Sequence, residues 1–261
     1  MRFSLSHGRA LGYRTRGVGP VIAFLHPVGL DGHFWDAVTD RLIASYRVIA
    51  IDLPGHGESD VPSKALSLDD MARDVAELLK ALAPAGAVLC GCSLGGMVAQ
   101  GVALLAPQHL RGLILSNASH DREESARKLL RQRADKALPG MPAVHDETIE
   151  RWFSADFRAR RPDVVEVTSR TLLAADPVVH AWSWHAIAEL SYGQRLTAVQ
   201  VPTLALTGSD DKSVSRTAFD NLTAVLPVVR THVFDGVGHL PPLEVPDDYA
   251  RVVSEFARSL G

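Results

Sequence analysis

Cysteine is scarce in this sequence: only Cys90 and Cys92 occur among its 261 residues. On an extended segment such close neighbours point to opposite faces, which argues against a disulfide between them. Two thiols are also too few for a cysteine-built metal site, so both are expected as small core residues. Long apolar runs are missing too. No stretch reaches the length of a membrane span, and Met1–Gly12 has no apolar centre of signal-peptide length. A cytoplasmic protein without membrane contact is the resulting expectation. Long tracts of one charge sign are absent, the net charge is −3 and the pI is about 6.4. That balance leaves no electrostatic footprint for nucleic acid. The densest basic cluster, Arg158, Arg160 and Arg161, is expected on a solvated face. No repeat of solenoid length is found.

What is present is an ordinary globular composition, 46% hydrophobic and 22% charged, with enough apolar material for a large core. The unbroken apolar runs Val21–Leu25, Val48–Ile51, Ala87–Cys90, Leu113–Leu115, Thr203–Leu206 and Thr231–Phe234 predict strands. Runs without alternation mark strands covered on both faces, as in a parallel sheet flanked by helices. Between them Leu68, Met71, Ala72, Val75, Leu78, Leu79 and Leu82 recur at helical steps, with Ser67 and Asp70 spaced as a capping box. Leu94–Leu105 and Asp247–Leu260 predict further helices, and Arg2–Leu5 with Ala10–Arg14 an antiparallel hairpin at the start. The fold class is therefore α/β, a mostly parallel, doubly wound sheet. Residues 119–195 break the rhythm: they are charged, helical in pattern and contain Trp152, Trp182 and Trp184. The division expected is a core of residues 1–118 and 196–261 and a helical cap, 119–195, over the carboxyl edge of the sheet, where ligands bind in open α/β sheets.

Gly91-Cys92-Ser93-Leu94-Gly95-Gly96 lies between a predicted strand and a predicted helix. This is the G-x-S-x-G nucleophile elbow in its required context, a sharp turn that lifts a serine hydroxyl above the sheet. Ser93 is the candidate nucleophile, and a serine needs a base. Of eleven histidines, His239 is favoured because Gly236-Val237-Gly238 allows a loop after the last strand to carry it over the elbow. His232, inside the last strand, is expected as a core residue and His120 as a lining of the pocket, while His26, His33 and His56 fall on early loops. The acid that orients the base should precede it, after the strand ending near Thr207. Asp210 and Asp211 both fit; Asp211 is chosen, with Asp210 as a loop residue or cap and Asp121 as a weaker third. Backbone N–H groups of Val28 and Leu94 are the expected oxyanion donors, since Pro27 has no N–H to offer. Asp52–Ser59 is expected to be a structural turn. No metal triad and no dinucleotide fingerprint is apparent, so no cofactor is expected.

The order of these parts resembles the α/β-hydrolase superfamily across nearly the whole chain. The closer resemblance is to 3-oxoadipate enol-lactonases, carried by Asp52–Pro62 and Cys90–Gln100, which are shared widely in the superfamily, and by Glu150-Arg151-Trp152-Phe153 with Phe157-Arg158-Ala159-Arg160, of which the Arg-Trp-Phe segment is more particular to the lactonases. The resemblance implies a pocket beneath a helical cap, Trp152 facing the substrate, and ring opening of an enol-lactone that bears a carboxylate. The chain departs from that group at His26-Pro27-Val28-Gly29-Leu30-Asp31-Gly32 and in the histidine-rich, aromatic stretch Val178–His185. Both lie where substrate choice would be made. Arg151, Arg158 and His120 are candidates to meet a substrate carboxylate, although arginines at such positions are more often surface ion-pair partners. The expectation is thus hydrolysis of a small-molecule ester or lactone through an acyl-enzyme. Hydrolysis of a C–C or amide bond uses the same triad, and a non-catalytic ligand receptor on this fold is the alternative of another class. Oligomeric state is left open.

Overall fold

Val, Ile and Leu dominate the central strands, and residues so apolar on both faces must be covered on both faces. The computed structural model, which describes residues 1–261, shows how this is done. In chain order the elements are β1 (Arg2–Ser4), β2 (Ala10–Arg16), β3 (Val21–Leu25), α1 (Asp36–Thr39), β4 (Arg47–Ile51), α2 (Leu68–Leu82), β5 (Ala87–Cys92), α3 (Leu94–Leu105) and β6 (Leu110–Ser116). Five helices follow, α4 (Glu124–Ala137), α5 (His145–Trp152), α6 (Ala155–Arg160), α7 (Pro162–Ala174) and α8 (Pro177–Ala188). The chain then returns through β7 (Thr203–Gly208), α9 (Arg216–Val225), β8 (Val229–Phe234), α10 (Pro241–Glu244) and α11 (Pro246–Arg258). One eight-stranded sheet results, ordered β1-β2-β4-β3-β5-β6-β7-β8. The strands from β3 onward run parallel, while β2 is antiparallel to both β1 and β4.

The alternation of the pleat divides the core in two. Ala23 and Leu25 of β3 point to a layer built with Met71, Val75 and Leu78 of α2 and Val98 of α3. Ile22 and Phe24 point the other way, toward Trp35 and toward Tyr249, Val253 and Phe256 of α11. Helix α2 begins as its sequence predicts: Ser67 Oγ accepts from Asp70 N–H, and the Asp70 carboxylate accepts from Ser67 N–H. Cys90 and Cys92 are free and buried. One expectation needs correction. β8 is an edge strand whose residues before Phe234 are half-buried or exposed, so its 231–234 segment is not covered on both faces. Arg230, Thr231 and His232 interrupt its apolar run, as suits an edge. No helix is long and apolar enough to cross a membrane.

Candidate active site

The turn after β5 is tightly constrained. Ser93 sits at φ 54°, ψ −116°, a left-handed conformation that costs a side-chain-bearing residue about 1–3 kcal/mol. The flanking glycines make the turn possible. A Cβ on Gly91 would stand 2.2 Å from the Gly95 carbonyl oxygen, and one on Gly95 would stand 2.2 Å from that of Leu25. Ser93 N–H is anchored to the Ser116 carbonyl at 2.9 Å, and α3 starts at the next residue. The serine is thereby held at the positive end of a helix.

The loop after β7 delivers Asp211 and the loop after β8 delivers His239. Their side chains are 1% and 2% exposed, and His239 Nδ1 lies 3.0 and 2.9 Å from the two Asp211 carboxylate oxygens. Asp211 also accepts from Asn117 Nδ2 at 2.9 Å and from the N–H groups of Ser213 at 2.7 Å and Val214 at 3.0 Å. Burial by itself would raise this carboxyl, but the adjacent imidazole and these donors outweigh it and hold it below its ordinary value. Asp210 is exposed and accepts only from Ser209 Oγ. The turn-capping role considered for Asp210 therefore belongs to Asp211, because the turn points position 211 inward.

Ser93, Asp211 and His239 line one cavity of about 970 Å³, and so do Val28, Trp152 and His120. It opens at the carboxyl ends of β3, β5, β6, β7 and β8. No hydrogen bond joins Ser93 Oγ to the His239 imidazole, although both residues line the cavity. The Val28 N–H donates to no protein acceptor. Leu94 is the first residue of α3, where N–H groups lack an acceptor within the helix. Burial depresses the His120 imidazole. A separate hollow of about 330 Å³, lined by Pro20, Tyr46 and Arg111, lies near the amino ends of the strands, away from any of these groups.

The remaining expected residues divide. His26 and His56 are buried in the loops after β3 and β4, where His26 Nε2 accepts from Leu53 N–H at 2.9 Å and His56 Nε2 from Gly29 N–H at 3.3 Å. In the Asp52–Ser59 turn the Asp52 carboxylate accepts from Gly32 N–H at 2.7 Å and Glu58 N–H at 3.0 Å. Arg160 and Arg161 form exposed ion pairs with Asp156 and Asp163. Arg158 lies outside the cavity. Arg151 departs from the expected surface ion pair. It is 9% exposed and none of its three guanidinium nitrogens has a hydrogen-bond partner. The short helix α5 turns it toward α8, with its guanidinium carbon 5.5 Å from the centre of the Trp184 ring.

Arg133, on α4, lies over the same ring at 4.8 Å and lines the cavity. Glu147 is 3.7 Å from each arginine, too far for a hydrogen bond, and its close partner is Lys136 at 2.7 Å. Burial pushes the Arg151 guanidinium down to about 10, with Arg133 adding repulsion. Arg122, a further cavity residue, is pushed to about 10 by burial as well. Arg122, Arg133 and Asn117 were not among the expected residues. Asn117 had a usable signal: it follows a central strand, and asparagine tolerates the positive φ of 51° found there. Arg122 follows β6 on the same loop as His120, so its position was readable, whereas Arg133 had no local signal, since only α4 packing on α8 brings it to the cavity.

The model of the alpha/beta hydrolase family matches residues 22–252. The chain is 26% identical over 255 residues to 3-oxoadipate enol-lactonase 1 of Acinetobacter baylyi, covering 97% of this chain and 95% of that protein. It is 30% identical over 258 residues to a pimeloyl-[acyl-carrier protein] methyl ester esterase of Vibrio campbellii, covering 95% and 98%. Among solved structures, a thermophilic esterase from Thermogutta terrifontis superposes with a TM-score of 0.92 at 29% identity, covering 100% of this chain and 99% of that one. With the elbow, the strand order and these likenesses together, the chain belongs to the alpha/beta hydrolase family.

Proposed function

We propose that the protein hydrolyses a carboxylic ester or lactone through an acyl-enzyme on Ser93, and that its substrate carries a second, ionised carboxylate. An enol-lactone of the 3-oxoadipate type is the leading specific substrate. The observation that carries this reading is the buried Asp211–His239 pair opening on the cavity into which the elbow serine projects.

In the first half-reaction His239 Nε2 takes the proton from Ser93 as Oγ attacks the carbonyl carbon. Asp211 holds Nδ1–H and stabilises the imidazolium. The oxyanion meets the N–H groups of Val28 and Leu94, each able to contribute about 2.7–4 kcal/mol to the transition state. Collapse expels the ester oxygen, which receives the proton from His239; in a lactone that oxygen stays tethered to the acyl chain. Water then gives its proton to His239 and attacks the acyl carbon, and Ser93 leaves with the proton restored. One water is consumed. The hydrogen bond of such a serine–histidine pair tightens when substrate is bound.

The helical segment over the cavity supports the substrate class. Arg133 and Arg122 present guanidinium groups to the cavity, Arg151 stands behind them, and no carboxylate of the protein engages them closely. A planar carboxylate is the natural partner for such groups. Trp152 supplies an apolar wall, and His120, whose imidazole burial depresses, offers a hydrogen bond. The names borne by the similar proteins, an enol-lactonase and two esterases, agree with this chemistry.

The test is turnover. The purified protein is expected to release p-nitrophenol from p-nitrophenyl acetate over many cycles. In a screen of enol-lactones, short esters and ring-cleavage products it should prefer the acid-bearing lactones. One stoichiometric burst, or no release at all, would favour a ligand receptor and sink the proposal.

A further inference from the structure

The loop carrying His239 is tied to the inserted helices by three residues. His239 N–H donates to the Trp152 carbonyl at 2.8 Å. One residue earlier, Gly238 N–H donates to Glu244 Oε1 at 3.0 Å. That same oxygen accepts from Ser154 N–H at 3.1 Å, and Glu244 Oε2 accepts from Ser154 Oγ at 2.6 Å. Ser154 Oγ in turn accepts from Phe157 N–H at 3.3 Å and so caps α6. A single carboxylate therefore joins the loop of the base to the junction between α5 and α6. The fit is close: a Cβ on Gly238 would stand 2.6 Å from Glu244 Oε1 and 2.7 Å from Ser154 N.

Glu244 is half-buried and no lysine, arginine or histidine pairs with it; its hydrogen-bond donors are all neutral. Surface stability alone would be served as well by an ordinary ion pair. Here an acceptor with two oxygens is placed so that one end of the catalytic loop and one end of the substrate-facing segment share it. Trp152, two residues from Ser154, both lines the cavity and fixes the His239 backbone.

We propose that Glu244 is a positioning residue: through Ser154 and Gly238 it makes the placement of His239 against Ser93 depend on the seating of the segment 152–154. A substrate that presses on Trp152 moves the segment, and the shared carboxylate passes that displacement to the imidazole. The inference rests on the proposed serine mechanism. It also accounts for a base that shares a cavity with its serine without yet being bonded to it.

Labelling of Ser93 by a fluorophosphonate, alongside kcat and KM on p-nitrophenyl acetate, tests this in the full chain. Glu244→Ala is expected to slow labelling and kcat by about 10–100-fold, the scale of an ångström-sized misplacement, while KM stays within about two-fold. Glu244→Gln keeps the oxygen that receives both backbone N–H groups and is expected to stay within about three-fold of the parent protein. Ser154→Ala, which loses only the hydroxyl link, should fall between them. Labelling of Glu244→Ala at the parental rate would overturn the proposal, as would Glu244→Gln failing as badly as Glu244→Ala. Should Glu244→Ala not fold by circular dichroism, parental rates in Ser154→Ala would overturn it instead. Absence of labelling in the parent protein, or equal labelling of Ser93→Ala, would remove the serine mechanism itself and is distinguishable from both results.

Discussion

The two walls of the cavity settle their buried charges in opposite ways. On the sheet side, Asp211 accepts from His239, Asn117, Ser213 and Val214, and the charge is fully engaged by fixed donors. On the helical side, the three guanidinium nitrogens of Arg151 find no acceptor, and Arg133 and Arg122 each leave their Nε unpartnered. Buried charges are costly unless paired and hydrogen-bonded. A satisfied one marks machinery that stays in place through a reaction. An unsatisfied one, next to a cavity, marks a place where the missing partner arrives from outside. On the proposed function, the sheet side carries the reaction centre and the helices after β6 carry an electrostatically unfinished surface that chooses the substrate.

The sharpest way to break this contrast is to remove the reaction centre alone. Ser93→Ala should lower kcat on the order of 10⁶-fold, as in other serine triads, and leave binding of a carboxylate product intact. Steady-state kinetics and calorimetric titration of the product check the two halves; a variant that keeps more than a few per cent of its activity would dissolve the distinction. Asp211→Asn should cost about 10⁴-fold, because the amide favours the wrong imidazole tautomer. Asp210→Asn, on the exposed side of the same turn, should stay within about two-fold. A larger loss at position 210 would reverse the assignment.

A smaller effect sharpens the other wall. Arg133→Met removes the charge that lines the cavity but keeps much of the stem that packs on Trp184. A hydrogen bond to a charged group is worth about 1.5–3 kcal/mol, so kcat/KM for an acid-bearing lactone should fall roughly 10–150-fold. On p-nitrophenyl acetate, which has no carboxylate, the change should be within about two-fold on the same grounds. Equal losses on both substrates would mean that Arg133 supports the fold rather than the choice of substrate.

The same contrast governs what could be read from the sequence. The elbow was legible because six contiguous residues encode it and the reason for each glycine is local. Asp210 and Asp211 were separable only by the direction in which a turn faces, which spacing does not reveal. Reading Thr231–Phe234 as an unbroken apolar run overstates its cover, because Thr231 and His232 within it are polar and Arg230 precedes it. Arg151 was expected at the surface because guanidinium groups usually are; its burial depends on α8, which follows 25 residues or more later in the chain. Arg133 and Glu244 had no local signature, since each acquires its role through contacts between distant segments. On the proposed function, reaction chemistry is encoded locally and substrate choice by packing.

The seam between the walls should also respond to pH. Gly29, beside the proposed oxyanion donor Val28, lies between two buried imidazoles: His56 on the sheet side accepts from its N–H, and His180 of α8 would stand 3.0 Å from a Cβ placed on it. Burial pushes both imidazoles down to about 3, from an ordinary value of 6.5. Above pH 6.5 folded and unfolded chains both hold them neutral. As pH falls below that value the unfolded chain binds protons that the folded chain refuses, so stability is lost, by on the order of 1 kcal/mol per pH unit for each histidine. His180→Gln retains an oxygen that can accept from Trp184 Nε1, the bond His180 Nε2 now receives at 2.9 Å, while removing one titrating group. Urea unfolding at pH 7 and pH 5 should therefore show a smaller acid-induced loss in His180→Gln than in the parent protein. An unchanged loss would mean that α8 and the oxyanion loop separate before unfolding begins, and that the seam carries none of the pH dependence.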